Sequence, residues 1–254
     1  MTLGIVSAMH EELSAVLAQV QARPLEYAGR TFWHGHWNGV PVVAVLSRIG
    51  KVAAATTVTT LIHRFDVTRV VMTGVAGGLH DAVQVGDAVV ADAFVQHDLD
   101  ASPLFPRYEV PLYGVSRFGV DAQLSGLLLQ AAAEALSRSD WLAALGELTD
   151  SARAPGGARP AGVHRGLVAS GDRFVSSAQE CVRLRGELPD ALAVEMEGAA
   201  MAQVCHDHQV PFAGVRLISD RADDAAHVDF LRFIRDVAAP ASAAVMHGLV
   251  QRLA

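Results

Sequence analysis

The sequence is poor in cysteine and has no long apolar run. Cys181 and Cys205 are the only cysteines among 254 residues, and they form no Cys-x-x-Cys motif, so we expect reduced, packed thiols in a cytoplasmic protein. No stretch approaches the roughly 20 apolar residues that a membrane-spanning helix requires, and no membrane association is expected. The apolar stretch 3–9 lacks a basic leader and runs into acidic residues, so we do not expect a secretory signal.

Aromatic and basic residues are also scarce. Aromatic residues make up 6% of the chain, and 20 basic against 27 acidic residues give a formal net charge of −7. That balance disfavours nucleic-acid binding, which relies on basic surfaces and stacking platforms. Because 51% of the residues are hydrophobic, the chain is not disordered. A small neutral or cationic ligand fits this composition better than a polyanion.

Several familiar signatures are incomplete. Residues 10–13 begin like a zinc-protease helix, but Ser14 stands where the second histidine is required. Residues 50–52 lack the upstream glycine and the Ser/Thr of a P-loop, and the glycine cluster 74–79 lacks the spacing of a dinucleotide-binding turn. We therefore expect no metal and no cofactor.

Strand-like and helix-like segments alternate along the chain. Asn38-Gly39, between apolar runs, is a strong hairpin signal. Strands are predicted at 3–7, 31–37, 40–47, 69–73, 85–95, 166–170, 191–196 and 212–219, and helices around 13–20, 51–65, 124–136, 197–208 and 227–253, the last interrupted at Pro240. This pattern predicts a three-layer α/β fold with a central mixed, largely parallel sheet flanked by helices. We expect one domain over 1–254, with a flexible insertion at 151–162.

Three carboxylates follow predicted strands. Glu12 comes after strand 3–7, Glu197 after 191–196 and Asp220 after 212–219. Ligands of open α/β sheets bind at the carboxyl ends of strands, so these acids are candidates for an acid/base site. Each could instead favour a helix N-terminus or cap a turn.

Two charged residues lie inside apolar strands. Glu195 and Arg216 would be costly to bury unless they are paired. They are either a pair that lines the site or a structural salt bridge. The glycines at 74, 77 and 78 would lie at the same edge, where backbone N–H groups can approach a ligand.

Seven short motifs follow one another in the sequence. They occupy residues 4–12, 49–55, 73–79, 85–87, 170–174, 194–197 and 215–220. In order and spacing they resemble the 5′-methylthioadenosine/S-adenosylhomocysteine nucleosidases of the nucleoside phosphorylase superfamily. The resemblance covers residues 4–233. It implies hydrolysis of the bond between adenine and a 5′-thio-substituted ribose, without a cofactor, by a homodimer.

The resemblance also implies roles for individual residues. Asp220 would protonate adenine N7 with help from Ser219, Glu12 would activate the attacking water, and Glu197 would bind the ribose hydroxyls. Phe174 would stack on adenine beside the backbone of Val175. The other substrate-binding residues that it implies are Ala8, Met9, Ile49, Ala76, Gly77, Glu195, Met196, Arg216 and Phe230.

Three departures from the family pattern leave alternatives open. Val75 replaces a usual serine, His10 replaces an acidic residue, and segment 101–107 only partly matches a loop that the family lends across its dimer interface. One alternative is a phosphate-dependent purine nucleoside phosphorylase, which the missing serine and a repelling Glu12 disfavour. Others are a nucleosidase for 6-amino-6-deoxyfutalosine and a non-catalytic nucleoside-binding protein.

Overall fold

The computed structural model describes residues 1–137, 160–222 and 230–254. Of the insertion predicted at 151–162, only 160–162 are among the described residues. The strands are β1 (Leu3–Ser7), β2 (Gln21–Tyr27), β3 (Arg30–Trp37), β4 (Val40–Leu46), β5 (Arg69–Gly78), β6 (Ala88–Gln96), β7 (Arg117–Gly119), β8 (Val163–Ser170), β9 (Ala191–Glu195) and β10 (Phe212–Asp220). The helices are α1 (His10–Leu17), α2 (Lys51–Phe65), α3 (Ala122–Leu136), α4 (Ala178–Glu187), α5 (Gly198–Asp207), α6 (Phe230–Phe233) and α7 (Ala239–Leu253), with a π-helical turn at Ile234–Ala238 before α7.

The first part of the sheet is an open meander that joins a parallel pair. Strands β2, β3 and β4 are antiparallel, and β4 runs parallel to β1. Asn38 and Gly39 both have positive φ, at 48° and 82°, as a two-residue hairpin turn requires. The hairpin prediction is confirmed.

The rest of the sheet closes on itself around β5. One edge of β5 pairs with β1 and then, through Gly77 and Gly78, with β9. Its other edge pairs with β10, and β10 pairs with β6, β6 with β8, and β8 with β9. The strands β5, β10, β6, β8 and β9 therefore form a closed ring, which the alternation of elements did not predict.

Helices cover both faces of the sheet. Residues of α1, α3 and α7 share one apolar core with it, and residues of α2 and α5 share a second. The mixed three-layer α/β fold is confirmed, although among the described strands five antiparallel pairings stand beside five parallel ones. In the parts of the chain that the structure describes, no helix is both long and apolar enough to cross a membrane.

Several boundaries differ from the predictions. Helix α1 begins at His10 and ends at Leu17, so Val20 lies beyond it. The predicted interruption at Pro240 is a π-helical turn just before it, and the backbone stays helical through Ala238 and Ala239, so Pro240 in the first turn of α7 does not end the helix. Strands β2 and β7 and helix α4 were not predicted.

Candidate active site

A cleft opens where β1, β5, β9 and β10 end. All fifteen predicted site residues line it: Ala8, Met9, Glu12, Ile49, Ala76, Gly77, Phe174, Val175, Glu195, Met196, Glu197, Arg216, Ser219, Asp220 and Phe230. Val75, Arg173 and Val194 complete the lining. Acids from positions 12, 197 and 220, distant in sequence, therefore face one concavity.

Glu12 lies in the first turn of α1 and is fully buried. Its Oε2 accepts a hydrogen bond from the backbone N–H of Met9 at 3.2 Å, and its Oε1 accepts one from Val75 at 3.0 Å. Burial raises the pKa of Glu12, against the opposing charge of Arg216 and the amide donors. A buried carboxylate with a raised pKa is a stronger base than an exposed one.

Glu195 and Arg216 form an ion pair that also lines the cleft. The guanidinium Nη2 of Arg216 contacts Glu195 Oε2 and donates to Glu197 Oε2 at 3.0 Å. The Glu195 carboxylate also accepts hydrogen bonds from Ser170 Oγ and from the backbone N–H of Glu197 at 3.1 Å. The backbone N–H of Gly198 lies 2.9 Å from its Oε1 and 3.0 Å from its Oε2. The two readings of this pair therefore coincide: the salt bridge is structural, and it lines the cleft.

Glu197 is held from two sides. Its Oε1 accepts from the backbone N–H of Gly50 at 3.0 Å, while Arg216 holds Oε2. Burial, followed by the like charge of Glu195, raises the pKa of Glu197 to about 7. Near neutral pH this carboxyl group is therefore poised between its charged and neutral forms.

The close approach of these groups requires glycine at position 74. A Cβ there would collide with Arg216 Nη1 and lie 3.0 Å from Glu12 Oε1. Since both partners are buried, neither can move away freely. Gly74 thus makes room for charged side chains, while Gly77 of the same cluster lines the cleft.

Asp220 is the last residue of β10 and lines the cleft. Ser219 Oγ donates to Asp220 Oδ2 at 2.7 Å, and the backbone N–H of Ala222 donates to Oδ1 at 2.8 Å. Asp220 as a whole residue is 8% exposed. It is therefore oriented by its neighbours while still reaching the cleft.

The mouth of the cleft is apolar and accessible. Phe174 and Phe230 meet edge to face, with ring centroids 6.0 Å apart. Phe174 and Ile49 are exposed, whereas Val175 is buried. Two exposed apolar side chains at a concave mouth favour a ligand with an apolar group.

Sequence reasoning missed the groups that hold the acids. Gly50 contributes only its backbone N–H, and Ser170 supports Glu195 from the end of β8. Arg173 and Val194, which lie inside quoted motifs, were not chosen as site residues. A backbone donor leaves no mark in a sequence, although a glycine before a predicted helix is a weak signal.

The raised pKa of Glu197 predicts a pH-dependent stability. The unfolded carboxyl group titrates near 4.5 and the folded one near 7, so the unfolded chain loses the proton first. The free energy of unfolding therefore falls as the pH rises from about 4.5 to about 7. Glu197→Gln removes this loss, so its Tm relative to the wild type should increase between pH 5 and pH 8. Thermal scans with the exposed Glu11→Gln as a control check this, and a pH-independent difference contradicts it.

Comparisons with known proteins converge on one group. The sequence model described as the phosphorylase superfamily matches residues 2–251. A 5′-methylthioadenosine/S-adenosylhomocysteine nucleosidase from Neisseria meningitidis, solved with methylthio-immucillin-A, is 31% identical with TM-score 0.84, covering 99% of each chain. The Streptococcus pneumoniae nucleosidase, solved with MT-ImmA, is 30% identical with TM-score 0.84, covering 100% of both chains. A futalosine hydrolase from Helicobacter pylori is 30% identical with TM-score 0.84, covering 99% of this chain and 98% of its own.

Proposed function

Because the chain belongs to the phosphorylase superfamily, and within it to the family of 5′-methylthioadenosine/S-adenosylhomocysteine nucleosidases, we propose that it hydrolyses the N-glycosidic bond of 5′-thio-substituted adenine nucleosides. The products are adenine and the corresponding thioribose. The observation that carries the proposal is the meeting of Glu12, Glu197 and Asp220 around one cleft with an apolar mouth.

The placement of the acids suits the charge changes of this reaction. Cleavage of an N-glycosidic bond builds positive charge on the sugar and negative charge on the base. Asp220, oriented by Ser219, protonates N7 of the leaving adenine, while Glu12 takes a proton from the attacking water. Glu197 binds the ribose hydroxyls, and the carboxylates stabilise the positive sugar.

The base and the 5′ group occupy the accessible part of the cleft. Phe174 stacks on adenine, and the backbone of Val175 contacts the purine edge. Ile49 and Phe230 contact the 5′-alkylthio group, which the exposure of Ile49 and the place of both side chains in the lining of the cleft support. Ala8, Met9, Ala76, Gly77, Glu195, Met196 and Arg216 form the remaining walls.

The charges in the cleft favour water over phosphate as the nucleophile. Arg216 forms ion pairs with Glu195 and Glu197. Arg173 Nη2 lies 3.6 Å from Glu180 Oε2, so this guanidinium is also paired with a carboxylate. Glu12 occupies the backbone N–H of Val75, where an anion would otherwise find a donor. A phosphate dianion at this position would meet a buried carboxylate.

The decisive experiment is adenine release from 5′-methylthioadenosine with and without added phosphate. We expect equal rates in both conditions and free thioribose as the second product. Dependence on phosphate would identify a phosphorylase, and no release, even in a single turnover, would leave a nucleoside-binding protein. Parallel assays with S-adenosylhomocysteine and 6-amino-6-deoxyfutalosine rank the 5′ groups, and exclusive use of the last would overturn the 5′-thio assignment.

A homodimer in the cytoplasm completes the proposal. The segment that resembles the loop lent between family protomers carries the exposed Leu104, and Leu112 and Val115 follow it on the surface. Exposed large apolar side chains of this kind favour association. The free, buried cysteines suit a reducing compartment.

A further inference from the structure

A closed set of hydrogen bonds lies beside the cleft and joins three segments. Lys51 Nζ donates to Asp98 Oδ1 at 2.6 Å, and Asp98 Oδ2 accepts from the backbone N–H of Asp172 at 2.8 Å. Asp172 Oδ1 in turn accepts from the backbone N–H of Lys51 at 2.8 Å. These three residues, called here the bracing triad, connect the start of α2, the segment just after β6 and the turn after β8.

Two members of the triad, Lys51 and Asp172, are each next in sequence to residues of the candidate site. Lys51 follows Gly50, whose N–H donates to Glu197 Oε1 at 3.0 Å. Asp172 precedes Arg173, Phe174 and Val175, which line the cleft. The triad therefore links the anchor of the ribose acid to the segment that contacts the purine.

The side chain of Asp172 lies close to the backbone of Gly50. Gly50 has φ of +98°, and a Cβ there would lie 3.2 Å from Asp172 Oδ1. Partial burial raises the pKa of Asp98, but the hydrogen bonds from Lys51 and Asp172 outweigh it and hold that pKa below its usual value. Lys51 Nζ is fixed further by Gln96 Oε1 at 3.0 Å. Asp98 therefore accepts both bonds as a carboxylate.

We propose that the bracing triad is a positioning device that sets the purine-contacting segment 173–175 against the Gly50 anchor of Glu197. Asp98 is its central positioning residue, since it alone accepts from both other members. The inference rests on the proposed function. Its reason is geometric: adenine and the ribose are joined, so the groups that hold them must keep a fixed separation, and a displacement of about 1 Å can cost about 10²-fold in rate.

The test compares Asp98→Ala with Asp98→Asn. Alanine removes both acceptors, so kcat/KM for 5′-methylthioadenosine should fall about 10- to 100-fold, with a higher KM and a higher Kd for adenine by calorimetry. Asparagine offers one acceptor oxygen for two donors and should lie between alanine and the wild type. The double variant Asp98→Ala, Asp172→Ala should lose less than the product of the single losses, because both break the same ring.

A control variant separates positioning from general stability. Arg117→Ala breaks the exposed ion pair with Asp190, which does not line the cleft, and should leave the kinetics unchanged. The inference is overturned if Asp98→Ala keeps the wild-type KM and adenine Kd. It is also overturned if the loss of kcat/KM only follows the folded fraction of the protein and Asp98→Asn is no better than Asp98→Ala. If the wild type binds adenine without hydrolysing the nucleoside, the proposed function fails while adenine affinity still tests the triad. If it does neither, both fail.

Discussion

Asp220→Asn is expected to lower kcat for adenine release by roughly 10²–10⁴-fold, the usual contribution of one acid/base group. The amide cannot supply the proton that the leaving adenine needs. Its single oxygen also serves only one of the two donors, Ser219 Oγ and the N–H of Ala222, that orient the carboxyl group. Steady-state kinetics measure the loss, and calorimetry with adenine shows that the binding site is intact.

The control for this change is Asp190→Asn. Asp190 is exposed, pairs with Arg117 and does not line the cleft, so its variant should keep the wild-type kcat. A near-normal kcat in Asp220→Asn removes Asp220 from the mechanism. A parallel loss of adenine binding assigns it a binding role instead.

Glu12→Gln should abolish measurable turnover while leaving adenine binding largely unchanged. The amide cannot take a proton from water, and we expect a fall in kcat at the upper end of the roughly 10²–10⁴-fold range of one acid/base group, or beyond it. Its oxygen can replace one acceptor of Glu12, whose two oxygens receive the N–H groups of Met9 and Val75. The change thus removes the base with little change in shape.

Glu11→Gln is a matched control one residue away. Glu11 lies on the same turn of α1 but is exposed, so its loss should leave turnover unchanged. If Glu12→Gln loses adenine binding and turnover together, Glu12 supports the structure and is not the base. The pair of variants therefore separates chemistry from folding within one helical turn.

Most elements of the fold could be predicted from local sequence patterns. Asn38-Gly39 fixed its hairpin, and the apolar strands near residues 3, 69 and 212 were found because burial on both faces leaves an unbroken hydrophobic run. Strand β2 was missed because Pro24 and its exposed polar neighbours lie at the edge of the sheet, where little burial is needed. Helix α4 was missed because it buries little: Cys181 and Leu184 are its buried residues.

The acidic side chains of the site could be predicted from the sequence, but the strand pairing that brings them together could not. The acids at 12, 197 and 220 could be placed at strand ends from their neighbours alone. The contact of Gly77 and Gly78 with β9 joins positions more than a hundred residues apart, and no local pattern encodes it. The pairing of Arg216 with Glu195 was anticipated, but its sharing with Glu197 depends on this long-range closure.

The place of β10 between β5 and β6 has a consequence for synthesis on the ribosome. This strand supplies Arg216, Ser219 and Asp220, yet it is translated after both of its neighbours. Until β10 emerges, Glu12, Glu195 and Glu197 lack the guanidinium of Arg216. The edges of β5 and β6 that pair with β10 also lack their hydrogen-bonding partner. The closed ring is thus completed by the same late strand that brings Arg216, Ser219 and Asp220 to the cleft, so we expect a chain truncated before β10 to lack both.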